Sequence, residues 1–393
     1  MGLEGARADA IDVPSERGVT LWVHVPDPGA SARLLASHRE LPVAWGGDFT
    51  DGGRRRILSL HHDGSLVSEH GAVIAGWGTA LPPTMVSNAD LTSILETSDE
   101  WIFERSGVRT RRAATGPFVS PPPPQNPPKG LGTTAALAVE AGQRALDCAG
   151  TRAEEIGFLV VCTSTPDQVM PATSSTVAGV LGIAGGAVDL NAACAGFTYG
   201  LITASGLIAA GSRKVLLIGA ETMTRTLNWE DRTNAFLFGD GAGALVLETV
   251  SGPGSLLGWD AGVDGTLVEL LYVDHGAGMI MRGQEVFRKA VRATAESVNA
   301  AIKNAGVGAD EIALFVPHQA NQRIMEAIAD RVGIPNDRIG SVIDSTGNTS
   351  SASIPLALVA AIEQERLSPG DLVLFAGFGA GMSWSSVVWR WGV

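Results

Sequence analysis

Ala145-Leu-Asp-Cys-Ala-Gly-Thr-Arg-Ala-Glu-Glu-Ile156 and Ala301-Ile-Lys-Asn-Ala-Gly-Val-Gly-Ala-Asp-Glu-Ile312 are one design written twice, the second copy starting 156 residues after the first, at Ala301 against Ala145. Each copy is an alanine-rich helical stretch that stops at a glycine, the residue that closes a helix at little steric cost. A short loop then leads to a buried strand, Phe158 to Cys162 in the first copy and Leu314 to Val316 in the second. Further on, Lys214-Val-Leu-Leu-Ile218-Gly219 mirrors Asp371-Leu-Val-Leu-Phe375-Ala376. Unbroken apolar runs of this kind suit strands covered on both faces. Helices alternating with such strands imply two layered α/β halves packed together, over residues 71–250 and 251–393. The duplication sets Cys194 opposite the loop Thr346-Gly347-Asn348-Thr349, across a cleft between the halves.

Around this body, composition narrows the classes. With 393 residues and 45% hydrophobic content, the chain can bury a large core or two fused ones. The net charge of -13 argues against a nucleic-acid binder, which needs a basic face, so an acidic partner must use a local basic patch. Cys148, Cys162 and Cys194 form no C-x-x-C pair, which predicts no zinc site, no disulfide framework and a reducing cytoplasm. The first ten residues carry Glu4, Arg7 and Asp9 without an apolar run, so neither a signal peptide nor a membrane span is expected. Residues 1–70 hold His24, His38, His61, His62 and His70 and the run Arg54-Arg55-Arg56, with no sustained period. They read as an appendage that need not be ordered, its histidines exposed rather than metal-ligating. The prolines Pro121 to Pro124, Pro127 and Pro128 mark a stiff insertion near 117–130.

Cys194 stands out within Asn191-Ala-Ala-Cys194-Ala-Gly-Phe197, where a lone thiol among small residues opens a helical stretch reaching Ala210. Unpaired N–H groups at a helix start favour a thiolate, so Cys194 reads as a nucleophile, while Cys148 and Cys162 read as core. His318 follows Pro317 at a strand end, and Asn348 follows Gly347; taken singly, each suits a structural role. Gly239-Asp-Gly241-Ala-Gly243 is no phosphate loop, because it leads into a strand at Ala244 to Leu247 instead of a helix. Trp101 and Arg232, taken singly, read as a core aromatic and a surface ion-pair former.

Taken together, Ala193-Cys194-Ala-Gly-Phe197, Pro317-His318-Gln-Ala-Asn321, Gly347-Asn348-Thr-Ser350 and Phe378-Gly-Ala380-Gly381 resemble, in this order, the motifs of beta-ketoacyl-ACP synthase III of the thiolase superfamily. Thr97-Ser-Asp-Glu-Trp101 and Phe238-Gly-Asp-Gly-Ala-Gly243 strengthen the likeness, which covers about Ala72 to Val393. It implies a five-layered α-β-α-β-α homodimer of duplicated halves. It also implies a decarboxylating condensation of an acyl-CoA starter with malonyl-ACP, through an acyl group on Cys194, without a cofactor or metal. The backbone N–H groups of Cys194 and Ala380 would form the oxyanion hole, Ala380 replacing a usual glycine. Neutral His318 and the Asn348 amide would each donate a hydrogen bond to the enolate, and Cys194 and His318 would titrate as a coupled pair near neutrality.

By the same resemblance, Thr97, Trp101, Arg105 and Arg232 belong at the coenzyme A entrance. Arg288, Arg323 and Arg331 would form the patch for the acidic carrier protein, with Asp330 where another basic residue is usual. Met170 would reach across the dimer to close the neighbouring acyl pocket. A starter-unit acyltransferase on the same fold is the alternative, and a noncatalytic partner subunit is disfavoured by the intact trio Cys194, His318 and Asn348.

Overall fold

The computed structural model describes residues 70–120 and 133–392, together with three short antiparallel ladders before them: Val13–Ser15 with Gly18–Thr20, Phe49–Asp51 with Arg54–Arg56, and Ser59–Leu60 with Leu66–Val67. The rest of the expected appendage, and residues 121–132 of the proline-rich insertion, lie outside the described residues. The chain divides into two compact units, Met1–Glu69 and His70–Val393.

In the second unit the two copies of the repeat each build a sheet. One sheet runs Gly186–Leu190, Phe158–Cys162, Lys214–Thr222, Asp240–Ser251 and His70–Ala80, in that spatial order. The other runs Leu256–Val263, Ser383–Arg390, Leu372–Gly379 and Ile312–Pro317. The two strand pairs read as equivalent from sequence are also equivalent in space: Phe158–Cys162 pairs parallel with Lys214–Thr222, and Ile312–Pro317 pairs parallel with Leu372–Gly379.

Period-two alternation sends each strand's side chains to opposite faces, and both faces are covered. Val215 and Leu217 point inward to a core shared with Leu314, Val373 and Phe375 of the other sheet, while Leu216 and Ile218 point outward. The inner core is filled by Phe197 and Leu201 of the helix Gly196–Ala209 and by Ile354 and Leu358 of the helix Ser353–Glu363. Outside, Thr133–Ala149 and Thr173–Leu181 cover the first sheet, and Gly283–Ala305 and Gln322–Val332 cover the second. The result is five layers, α-β-α-β-α. Each fully buried Leu, Ile or Phe contributes roughly 1.5–3 kcal/mol, so the two apolar central helices tie the halves together.

The duplication extends to atomic contacts. A Cβ on Gly76 would stand 2.6 Å from the Ala145 carbonyl oxygen, and one on Gly258 would stand 2.6 Å from that of Ala301. In both halves, then, a glycine lets an outer helix lie directly on a strand, at corresponding residues of the repeat.

Two local expectations need correction. The strand expected to begin at Ala244 begins at Asp240, so Gly241 and Gly243 lie inside it; a Cβ on Gly243 would be 2.6 Å from Pro355 Cβ, and the glycine makes room for the helix Ser353–Glu363. Cys148, expected in the core, is exposed, because it falls on the solvent side of Thr133–Ala149 at its last turn; Cys162 is buried as expected. Among the described residues no helix is long and apolar enough to cross a membrane.

Candidate active site

A cavity of about 690 Å³ opens where the two halves meet, and Cys194, His318 and Asn348 all line it. Each arrives on a different support. Cys194 sits in a single 3-10 turn, Ala193–Ala195, that runs into the helix Gly196–Ala209, and Ala193 holds φ 46° to make the corner. His318 leaves the strand Ile312–Pro317 with its backbone N–H still bonded to the Ala376 carbonyl at 2.7 Å. The buried Gln319 side chain fixes this exit by donating to the carbonyls of Pro317 and Gly340 while accepting from Val342 N–H. Asn348 lies in a loop stitched to the other half by Asn348 N to Leu237 O, 2.8 Å, and Gly239 N to Asn348 O, 3.0 Å.

Hydrogen bonds orient the reactive groups. Asn348 Oδ1 accepts from Ser350 N–H at 2.9 Å, which leaves its NH₂ for the cavity as a donor. For His318, Nδ1 lies 2.7 Å from Ser353 Oγ, whose own hydrogen goes to the Ser350 carbonyl at 2.8 Å. With that hydrogen on the Ser350 carbonyl, Ser353 Oγ accepts from Nδ1–H and Nε2 of the neutral ring is an acceptor; in the other tautomer Ser353 donates to Nδ1 and Nε2–H is a donor.

Burial overturns the expected coupled titration near neutrality. It pulls the imidazole of His318 down to about 3, against a hydrogen bond to the Ser350 backbone. Burial likewise pushes the Cys194 thiol up to about 12; a Ser350 hydrogen bond opposes this and the nearby Glu221 charge adds to it. In an apolar cleft both charged forms lose solvation, and this outweighs the helix start that favours a thiolate. The resting pair is thiol and neutral imidazole. A Cβ on Gly379 would stand 2.6 Å from the Cys194 backbone nitrogen, so glycine there lets the Phe378–Gly381 turn approach that N–H. Ala380 follows, and since it is not among the residues with positive φ, alanine fits the backbone without strain.

At the cavity mouth Arg105 Cζ lies 4.4 Å and Arg232 Cζ 4.9 Å from the Trp101 ring centroid, and all three residues line the cavity. Ser98 caps the helix Asp99–Ser106 by accepting from Trp101 N–H, and Asn321 Nδ2 donates to the Arg105 carbonyl at 2.7 Å, which sets both residues at the rim. Thr97 is not on the wall; its hydroxyl is buried with no partner among the described residues. Arg288 and Arg323 are on the wall, whereas Arg331 is two turns further along Gln322–Val332, about 12 Å away at 1.5 Å per residue. Met170 is 79% exposed and outside the cavity of its own chain.

Sequence reasoning passed over Ser350, Ser353, Gln319 and Glu221. Glu221 is fully buried at the end of the apolar strand Lys214–Thr222, and a carboxylate in such a run was a readable signal.

The family model described as 3-Oxoacyl-[acyl-carrier-protein (ACP)] synthase III matches residues 188–265, and its C-terminal companion matches residues 302–391. A beta-ketoacyl-[acyl-carrier-protein] synthase III of Roseiflexus castenholzii is 43% identical over 337 residues, covering 81% of this chain and 98% of the relative. The crystal structure of a 3-oxoacyl-[acyl-carrier-protein] synthase III from Aquifex aeolicus superposes with a TM-score of 0.76 at 37% identity, over 82% of this chain and all of that one. The priming beta-ketosynthase of the R1128 polyketide biosynthetic pathway gives a TM-score of 0.74 at 35% identity, over 82% of this chain and 96% of its own.

Proposed function

Because this chain belongs to the beta-ketoacyl-[acyl-carrier-protein] synthase III family, we propose that it starts fatty-acid or polyketide chains by condensing an acyl-CoA starter with malonyl-ACP. Cys194 attacks the starter thioester; its proton passes to His318 Nε2 and then to the departing coenzyme A thiolate, leaving an acyl-Cys194. The N–H groups of Cys194 and Ala380 hold the tetrahedral oxyanion. A proton taken up from solvent stands on His318 Nε2 when malonyl-ACP loses carbon dioxide, and the enolate oxygen is met by the Asn348 NH₂ and by Nε2–H. The enolate carbon attacks the acyl group, Cys194 leaves as a thiolate, and the proton on His318 Nε2 passes to it, so that each cycle takes up one proton from solvent.

The observation that carries this reading is the Asn348 amide, turned by Ser350 N–H to present its donor end in the cavity that Cys194 lines. Acyl storage needs no such group, whereas an enolate does. Trp101, Arg105 and Arg232 serve the coenzyme A end, with Thr97 off the wall behind them, and Arg288, Arg323 and Arg331 the acidic carrier. Two exposed apolar side chains, Val169 and Met170, together with the open edge strand Gly186–Leu190, suit a homodimer in which Met170 closes the partner's acyl pocket. The protein would act in the cytoplasm without cofactor or metal.

The test is to supply acyl-CoA and malonyl-ACP and follow adduct mass on Cys194, carbon dioxide release and 3-oxoacyl-ACP. All three should appear together. An acyl adduct that passes to another acceptor without carbon dioxide release would replace condensation with starter-unit acyl transfer.

A further inference from the structure

Glu221 has no exposed surface, and no Lys, Arg or His among the described residues forms an ion pair with it. A buried carboxylate without a counter-ion is costly unless its lone pairs are filled. Here they are filled from both halves of the molecule. From the loop that follows Phe158–Cys162 in its own half it accepts from Thr163 Oγ1, from Ser164 N–H at 3.1 Å and Oγ at 3.0 Å, and from Thr165 Oγ1 at 2.5 Å. From across the cleft it accepts from Ser350 Oγ at 3.0 Å and Ser351 Oγ at 2.9 Å.

Ser350 is the point where the catalytic trio converges. Its N–H orients the Asn348 amide, its carbonyl accepts from the Ser353 hydroxyl that partners His318, and its hydroxyl also contacts the Cys194 sulfur. To make these bonds it holds φ 49°, a left-handed conformation that is strained for a serine and persists only when its surroundings impose it. Glu221 supplies that constraint.

We propose that Glu221 is a positioning residue for the carbon–carbon bond-forming half-reaction, clamping the strained Ser350 turn across the two halves so that Asn348 and His318 converge on the enolate oxygen. The inference rests on the condensation reading above. It assigns Glu221 no contact with substrate. Ser350 Oγ has one hydrogen and stands beside both the thiol and the carboxylate, so the clamp has a second signature: the Glu221 charge disfavours a Cys194 thiolate, whereas the Ser350 hydrogen, where it turns to the sulfur, favours it. The other ionisable groups on the cavity wall are His318, Arg105, Arg232, Arg288 and Arg323.

Three variants test this: Glu221→Gln, Glu221→Asp and Ser350→Ala, each compared with wild type for adduct formation, for 3-oxoacyl-ACP formation from pre-acylated enzyme, and for iodoacetamide alkylation of Cys194 against pH. Glu221→Gln and Glu221→Asp should keep acylation within about threefold yet slow condensation at least tenfold. Alkylation at pH 8 should rise in Glu221→Gln, stay near wild type in Glu221→Asp, and fall in Ser350→Ala, because loss of an anion and loss of a donor act on the thiol with opposite sign. Equal losses of acylation and condensation, or alkylation moving the same way in all three variants, would mean general loosening and overturn the proposal. Should Glu221→Gln fail to fold, Glu221→Asp and Ser350→Ala decide by the same two readouts. If wild type never condenses, the function is wrong; the alkylation pattern still reports whether Glu221 clamps the turn.

Discussion

The turn before the helix Gly196–Ala209 and the turn before the helix Ser353–Glu363 are copies, and they touch across the cleft. In the first, Asn191 Oδ1 accepts from Ala193 N–H at 3.0 Å and Ala193 holds φ 46°; in the second, Asn348 Oδ1 accepts from Ser350 N–H at 2.9 Å and Ser350 holds φ 49°. A single 3-10 turn follows each, then a buried helix. Yet one turn delivers a thiol one residue past its strained position, and the other delivers an amide two residues before it. Ser351 stands where Cys194 stands in its copy, and it is spent on the Cys162 carbonyl and on Glu221. Duplication of a backbone thus supplied two facing frames, and their side chains differ in chemistry: a thiol on one, an amide donor on the other.

The sharpest way to break this division is to exchange which copy is damaged. Cys194→Ala should abolish the acyl adduct and lower product formation by roughly three orders of magnitude or more, as loss of a covalent nucleophile does, whereas Ser351→Ala should still form the adduct in intact-mass spectra. An adduct persisting in Cys194→Ala would place the nucleophile elsewhere.

The two asparagines give the next contrast. Asn348→Ala should acylate normally but lose about a hundredfold in condensation, the scale of removing one donor to a developing oxyanion. Asn191→Ala removes only a turn bond and should cost about 1 kcal/mol of stability, slowing both steps by a similar small factor. Single-turnover assays of each half-reaction separate these outcomes; a condensation-specific defect in Asn191→Ala would erase the distinction between the turns.

A third comparison is of pH responses. With the thiol at about 12 and the imidazole at about 3, neither titrates between pH 5 and 9 in the resting protein. Alkylation of Cys194 should climb about tenfold per pH unit through that range without a plateau, and an inflection near neutrality would show the thiol and ring sharing a proton after all. Stability carries the matching sign. The unfolded chain protonates His318 near 6.5 while the native site resists until about 3, so His318 draws stability down as pH falls from 6.5 toward 3, and His318→Gln should flatten that part of a urea-unfolding profile.

The smallest effect concerns the two strained corners. Ala193→Gly relieves a positive φ but adds chain entropy to the unfolded state, and the two terms, each about 1 kcal/mol, should nearly cancel in thermal denaturation. Ser350→Gly gains the same relief yet forfeits the bond to Glu221, so it should melt lower than Ala193→Gly. A higher melting temperature for Ser350→Gly would show that the clamp contributes nothing to stability.

The amino-acid sequence by itself determined the two halves through the repeat at Ala145 and Ala301, because a helix that ends at glycine and a strand that is apolar on both faces are local properties of the chain. Cys194, His318 and Asn348 are recognisable by their motifs, and the fold brings all three to one cavity. Tertiary structure alone decided their chemical state. A helix start favours a thiolate locally, but desolvation is imposed by whatever packs around the group, here the meeting of two halves, and it reverses that local preference. Which nitrogen of His318 carries the proton is governed by a serine 35 residues away and the carbonyl beside it. Glu221 looks like a misplaced charge in an apolar strand, because its partners at Ser350 and Ser351 lie about 130 residues further along the chain. Hydrogen-bond satisfaction and burial are sums over neighbours in space, and only a folded chain has those neighbours.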